Sequence, residues 1–179
     1  MRKFYASVLK MMGWKVNLQA PLPSKCVLCV APHTSNWDFL IGMIYFQSVG
    51  GNLRYLMKKS LFFFPLNLLL KALGGIPVDR NNKSELTELL KQDFADNDIL
   101  QLAITPEGTR SENSHWKTGF YYIALDAEVP IALAYLDYAN KTIGILENFT
   151  PTGNKEQDLA HIKHLYKNIQ GKHPEQFSI

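Results

Sequence analysis

Cys26-Val27-Leu28-Cys29-Val30-Ala31, running directly into Pro32-His33-Thr34-Ser35-Asn36-Trp37-Asp38, decides how this chain folds. The first six residues are an unbroken apolar run, the mark of a central strand covered on both faces of a sheet. The next seven turn that strand into a helix. Ser35 with Asp38 has the Ser-x-x-Asp form of a capping box, and Asn36 to Val49 then reads as a helix ending at Gly50 and Gly51. A buried strand feeding a helix through a short polar loop is the opening unit of an α/β architecture.

The rest of the chain repeats that alternation. Before the strand, residues 3–13 space Phe4, Val8, Met11 and Met12 at helical intervals, and Pro21 and Pro23 then break the chain. After it, Leu53 to Met57 reads as a strand, Leu61 to Leu73 as one or two short helices around Pro65, and Ile76 to Val78 as a strand delivering Asp79 and Arg80 into a loop. Asn82 and Glu85 form a capping box for a helix running to about Ala95, and Ile99 to Ile104 is a strand ending at a Glu107 loop. Tyr121 to Ala127 is helical, Val129 to Ala134 and Thr142 to Leu146 are strands, and Gln157 to Ile169 is a last helix stopped by Gly171 and Pro174. With no repeat or linker, the expectation is one domain, residues 1–179, of α/β class: a mixed, mostly parallel central sheet flanked by helices.

The bulk composition, 46% hydrophobic and 20% charged over 179 residues, is that of a globular protein, and a net charge of +3 is too mild to argue for nucleic acid. The placement of that charge is more telling. Arg2, Lys3, Lys10 and Lys15 bracket Phe4, Val8, Met11, Met12 and Trp14, so residues 1–16 are expected to form an amphipathic membrane-associating helix. Arg54, Lys58 and Lys59 precede a second apolar run, Leu61 to Leu73, which carries Phe62, Phe63 and Phe64. The alternative is that both segments pack into the protein's own core. Pro65, Asn67 and Lys71 interrupt the second run, which falls short of the roughly twenty apolar residues of a spanning helix. No signal peptide is expected, because lysines break the N-terminal segment and no small-residue cleavage site follows. The expected location is the cytoplasmic, inner face of a membrane, as a peripheral protein.

Cys26 and Cys29 lie three apart in a strand, hence on opposite faces, and no second pair completes a zinc site; both are expected to be buried thiols. His161 and His164, three apart on the last helix, imitate a metal pair but lack a third ligand, and a solvated helix face is the expected reading.

Two loops carry the residues of a chemical site. Asp38 either merely caps its helix or reaches back to one nitrogen of His33, leaving the other for substrate, the base-plus-orienter arrangement of a catalytic triad. No Gly-x-Ser-x-Gly elbow supplies a serine, so the nucleophile would be the substrate's own hydroxyl. Pro106 to Ser111 offers Gly108, Thr109, Arg110 and Ser111 in succession after an apolar strand, with Lys117 further on. Glu107 and Arg110 are either a loop-bracing pair or part of an anion-binding surface. Arg80 leaves another strand end; the two arginines on separate loops either clamp one phosphate or are each a surface charge.

Taken jointly, four segments resemble the glycerophospholipid acyltransferases, the family containing lysophosphatidate acyltransferase. They are His-x-x-x-x-Asp at His33 and Asp38, Gly-x-Ile-Pro-Val-x-Arg at Gly74 to Arg80, Glu-Gly-Thr-Arg-Ser at Glu107 to Ser111, and Val-Pro-Ile at Val129 to Ile131, in the family's order. The likeness spans roughly residues 11–146. It implies acyl transfer from a thioester donor, acyl-CoA or acyl-carrier protein, to a lysophospholipid or glycerophosphate-type acceptor such as 1-acyl-glycerol-3-phosphate, with no metal or cofactor. His33 would be the general base and Asp38 its orienter; Arg80, Glu107, Gly108, Thr109, Arg110, Ser111 and Lys117 would hold the acceptor; backbone at Pro130 and Ile131 would serve an oxyanion. Trp116 sits where such proteins carry an aromatic residue before the lysine, and His115 is incidental. The N-terminal segment is short for the family, so a complete two-helix membrane anchor is not expected. Rival readings are an acyltransferase for a phosphate-free lysolipid such as a lyso-aminolipid, and a non-catalytic peripheral lipid-binding protein.

Overall fold

The computed structural model describes residues 1–18, 20–78 and 83–179. Seven strands form one sheet: β1 (Lys15–Leu18), β2 (Lys25–Val30), β3 (Leu53–Lys58), β4 (Gly75–Val78), β5 (Leu100–Ile104), β6 (Ile131–Asp137) and β7 (Thr142–Phe149). Their order is β1-β7-β6-β2-β5-β3-β4, and every neighbouring pair is parallel except the β6–β7 hairpin. β2 therefore sits at the centre, with β5, β3 and β4 on one side and β6, β7 and β1 on the other. The apolar run that opened the sequence reading is this central strand.

Helices cover both faces of the sheet. On one face α1 (Arg2–Met11) and α2 (Asn36–Val49) bury Leu9, Ile41, Tyr45 and Phe46 against Cys26, Leu28, Ala134 and Ile143. On the other, α4 (Lys83–Asp96), α5 (Gly119–Asp126) and α6 (Lys155–Tyr166) bury Leu90, Phe94, Phe120 and Tyr166 against Val27, Cys29 and Leu133. Cys26 and Cys29 go to opposite faces as the strand period requires, and burial pushes the Cys26 thiol up to about 12 and raises that of Cys29 as well. Neither is a reactive thiol.

α3 (Leu66–Ala72) differs from the other helices in burying nothing. Phe63, Phe64 and Leu68 around it are 59%, 80% and 61% exposed, so this run does not pack into the core. The N-terminal expectation needs correction. The helix ends at Met11, and Lys15 and Val16 belong to β1, an edge strand paired in parallel with β7. Trp14 is buried edge-to-face on Tyr138 at 5.0 Å, with Lys141 beside the ring, so it is not a membrane contact. Its aromatic ring anchors the turn into the sheet instead. β1 lies so close to β7 that a Cβ at Gly144 would overlap the carbonyl oxygen of Asn17, which accounts for the glycine there. Among the described residues, no helix is long and apolar enough to cross a membrane.

Candidate active site

Parallel strands share a direction, so their carboxyl ends lie along one edge of the sheet, the usual place for a site in an open α/β fold. At this edge β2 leads to His33, β5 leads to the Pro106–Ser111 loop and β6 leads to Tyr138. The Arg80 loop after β4, with Asn82 of the expected cap, lies outside the described residues.

Ser35 caps α2, its Oγ accepting from the Trp37 amide, and the cap fixes Asp38 in the first turn. The two readings of Asp38 turn out to be compatible. Its Oδ2 accepts from the amides of Thr34 and Ser35, both at 2.8 Å, and lies 3.3 Å from Nδ1 of His33. Its Oδ1 accepts from the Tyr138 hydroxyl at 2.7 Å. Burial opposes ionisation, but the donors from His33, Tyr138 and the Ser35 amide outweigh it and hold the carboxyl below its ordinary value. A carboxylate facing Nδ1 places the proton on that nitrogen, so Nε2 is the nitrogen able to accept another. The His33 side chain is 20% exposed and its partner 2%, an imidazole at a surface backed by a buried acid.

Glu107 has a different place from the one expected. It is 2% exposed, and both carboxylate oxygens accept from the His33 amide, at 3.1 and 3.0 Å. It does not line the cleft beside His33; it braces the backbone of the His33 loop. Burial pushes its carboxyl up to about 7, against the lowering pull of His33. The loop beyond it is tied by the Asn113 side chain donating to the Glu107 carbonyl and by Lys117 N–H donating to that of Pro106. Gly108 has φ +65°, and a Cβ there would strike the Lys117 side chain, which lies across it. Arg110 donates to the Asn36 side chain and thereby spans from the β5 loop to the start of α2. Thr109 and Ser111 are exposed and engage each other, the Ser111 amide donating to Thr109 Oγ1, and neither lines the cleft.

That cleft has a volume of about 1390 Å³. His33, Asn36, Gly108, Arg110 and Lys117 are among its polar lining, and Phe39, Met43, Met57, Leu86, Phe120 and Ile123 are among its apolar walls. It exceeds the range of typical small-ligand sites, roughly 300–1,000 Å³, as a long apolar chain attached to a polar group would need. Trp116 lines it while packing edge-to-face on Tyr166.

Pro130 and Ile131 do not serve as an oxyanion site. Proline has no N–H, and the Pro130 carbonyl already accepts from Val27. Ile131 is fully buried and paired with Val27 on one side and Phe149 on the other, at the amino end of β6. With Val27 six residues before His33, strand geometry puts this pair roughly 15–20 Å from the imidazole. On α6, His161 is paired with Glu147 at 3.2 Å, and no group of potential metal ligands occurs among the described residues. Two site residues had escaped the sequence reading: Asn36, inside the His-x-x-x-x-Asp segment, and Tyr138, separated from Asp38 by 100 residues.

The acyltransferase family model matches residues 14–135. A probable 1-acyl-sn-glycerol-3-phosphate acyltransferase of Mycoplasma pneumoniae is 32% identical over 130 residues, 66% of this chain and 48% of that protein. The chain thus spans about half the length of this curated relative. The crystal structure of the 1-acyl-sn-glycerophosphate (LPA) acyltransferase PlsC from Thermotoga maritima superposes with a TM-score of 0.60 at 20% identity, covering 94% of this chain and 74% of that one. At that identity the likeness is one of fold.

Proposed function

This chain belongs to the acyltransferase family, and from that premise we propose that it moves a fatty acyl group from a thioester donor to the hydroxyl of a lysophospholipid or glycerophosphate-type acceptor, with 1-acyl-glycerol-3-phosphate foremost. The donor is acyl-CoA or acyl-carrier protein. The observation that carries the reading is the His33–Asp38 pair lining a large, mainly apolar cleft.

Nε2 of His33 removes the hydroxyl proton as the oxygen attacks the thioester carbonyl. The C–O bond forms, the C–S bond breaks, and the imidazolium returns its proton to the departing thiolate. Nδ1–H stays on Asp38 throughout, which stabilises the imidazolium without taking its proton. The chemistry draws on positioning and base catalysis against an already reactive thioester, with no covalent acyl-enzyme and no metal or cofactor. Arg110 and Lys117 supply the cationic groups for an anionic head group, and Arg80 is a further ligand in this proposal. A lipid-binding protein without activity would need neither the imidazole nor its buried acid.

The working location is the inner face of a membrane, to which the exposed Phe63, Phe64, Leu68 and Leu69 give an apolar contact. The test is an acyl-transfer assay with phosphate-bearing and phosphate-free lysolipids and both donors. Transfer to a lysophosphatidate supports the proposal. Transfer only to a phosphate-free lysolipid replaces the acceptor, and no transfer to any acceptor removes the enzymatic reading.

A further inference from the structure

The geometry points to Tyr138 as a positioning residue for the base, acting through the buried acid from outside the segment that the family model matches. This inference rests on the proposed role of His33. Asp38 has two oxygens with unequal duties. Oδ2 takes two amides and the imidazole, all from its own loop. Oδ1 takes the Tyr138 hydroxyl at 2.7 Å, a contact from a distant part of the chain.

The phenol is itself held from three directions. Tyr138 N–H donates to the Gln170 carbonyl at 2.9 Å, its ring stands edge-to-face on buried Trp14 at 5.0 Å, and Lys141 Nζ lies 5.5 Å from the ring centroid. Burial, then the hydrogen bond to Asp38, raise the phenol above its ordinary value, so it remains a donor at any working pH. A carboxylate that shares its charge with a fixed donor is a weaker partner for the imidazolium than one that does not. Tyr138 therefore does two things. It holds the carboxylate plane so that Oδ2 faces Nδ1, and it lowers the proton affinity of the His33–Asp38 pair. Among the described residues, the other ionisable groups near this pair include Glu107, on the His33 amide, Lys141, beyond the phenol ring, and Lys117, which lies across Gly108 and lines the cleft with His33. Arg110, on the Glu107 loop, is engaged by Asn36.

Two substitutions test this. Tyr138→Phe keeps the ring on Trp14 and deletes the donor. Replacement of Tyr138 by a ring-fluorinated tyrosine keeps the donor, makes it more acidic, and leaves the fold undisturbed should the phenylalanine variant fail to fold. Side-chain NMR of His33, read without substrate, should show its titration moved up by about half to one unit in Tyr138→Phe and moved down by the fluorinated residue. In the acyl-transfer assay, kcat of Tyr138→Phe should fall about tenfold to a hundredfold with KM little changed. An unchanged His33 titration in both variants overturns the inference, as does a wild-type kcat in Tyr138→Phe. Wild-type protein inactive on every acceptor would refute the proposed function alone, because the NMR readout needs no turnover.

Discussion

The amide of His33 donates to both carboxylate oxygens of Glu107, 74 residues away in sequence, and this part-buried contact joins the loop after β2 to the loop after β5. Because Glu107 comes from the end of β5 and His33 from the end of its neighbour β2, the parallel register of the central strands sets the distance between them. The acidic residue of the Glu-Gly-Thr-Arg-Ser segment thus works on the His33 loop, and the arginine three residues on faces the cleft.

Glu107 should leave a mark on stability. Its carboxyl is raised by burial from an ordinary 4.5 to about 7, so its contribution is fully present below pH 4.5 and is lost as the pH climbs to 7, where the unfolded chain has released a proton that the native chain still holds. That loss is at most roughly 3 kcal/mol. Glu107→Gln retains an acceptor for the His33 amide and cannot ionise. Denaturant unfolding between pH 4.5 and 7 should show a falling stability in the wild type and a flatter profile in the variant. Parallel profiles would assign the slope to another group.

His33→Ala should abolish transfer and leave the fold in place, since the imidazole stands at the cleft surface and fills none of the core. General bases contribute about a hundredfold to ten-thousandfold, and the loss should fall in that range with an unchanged circular dichroism spectrum. Folded His33→Ala turning over like the wild type would end the mechanism.

Much of this was legible in the sequence because its signals are local. An apolar run long enough for a strand, a Ser-x-x-Asp cap and a terminating Gly50 fixed β2 and α2 to within a residue. The strand ending at Asp137 was harder to bound, since β6 is buried throughout and shows no alternation to mark its end. β1 was missed because Lys15–Leu18 alternates like an edge strand but follows a helix whose basic and apolar residues continue into it. The site divides the same way. His33, Asp38 and Arg110 are marked by residue type and spacing, whereas the burial of Glu107 and the reach of Tyr138 depend on which strands lie side by side. No spacing reports that.

Arg110 should discriminate between acceptors. Its guanidinium is oriented by Asn36 in the polar lining of the cleft, and removing a charge-assisted hydrogen bond costs about 1.5–3 kcal/mol. Arg110→Ala should lower kcat/KM for a phosphate-bearing acceptor about tenfold to a hundredfold and spare a phosphate-free analogue. Arg110→Lys should recover little, because an ammonium lacks the planar fork. Equal losses on the two acceptors would show that the arginine holds the loop and does not read phosphate.

The exposed side chains near α3 should govern membrane binding. Phe63, Phe64, Leu68 and Leu69 face outward where a soluble surface has no use for them, and Lys58 and Lys59 immediately precede them. Each basic residue close to an anionic bilayer contributes about 1 kcal/mol, screened within a Debye length, while burying a phenylalanine contributes about 1.5–3 kcal/mol that salt does not screen. The two components are therefore separable. In vesicle sedimentation, removing charge at Lys3, Lys10, Lys58 and Lys59 should weaken binding to anionic lipid and flatten its salt dependence. Phe63→Ser with Phe64→Ser should weaken binding to anionic and neutral vesicles alike, about tenfold or more, and leave the salt slope in place. Retained partitioning in the double serine variant would move the docking surface away from α3, and retained partitioning in both would leave these residues as ordinary surface.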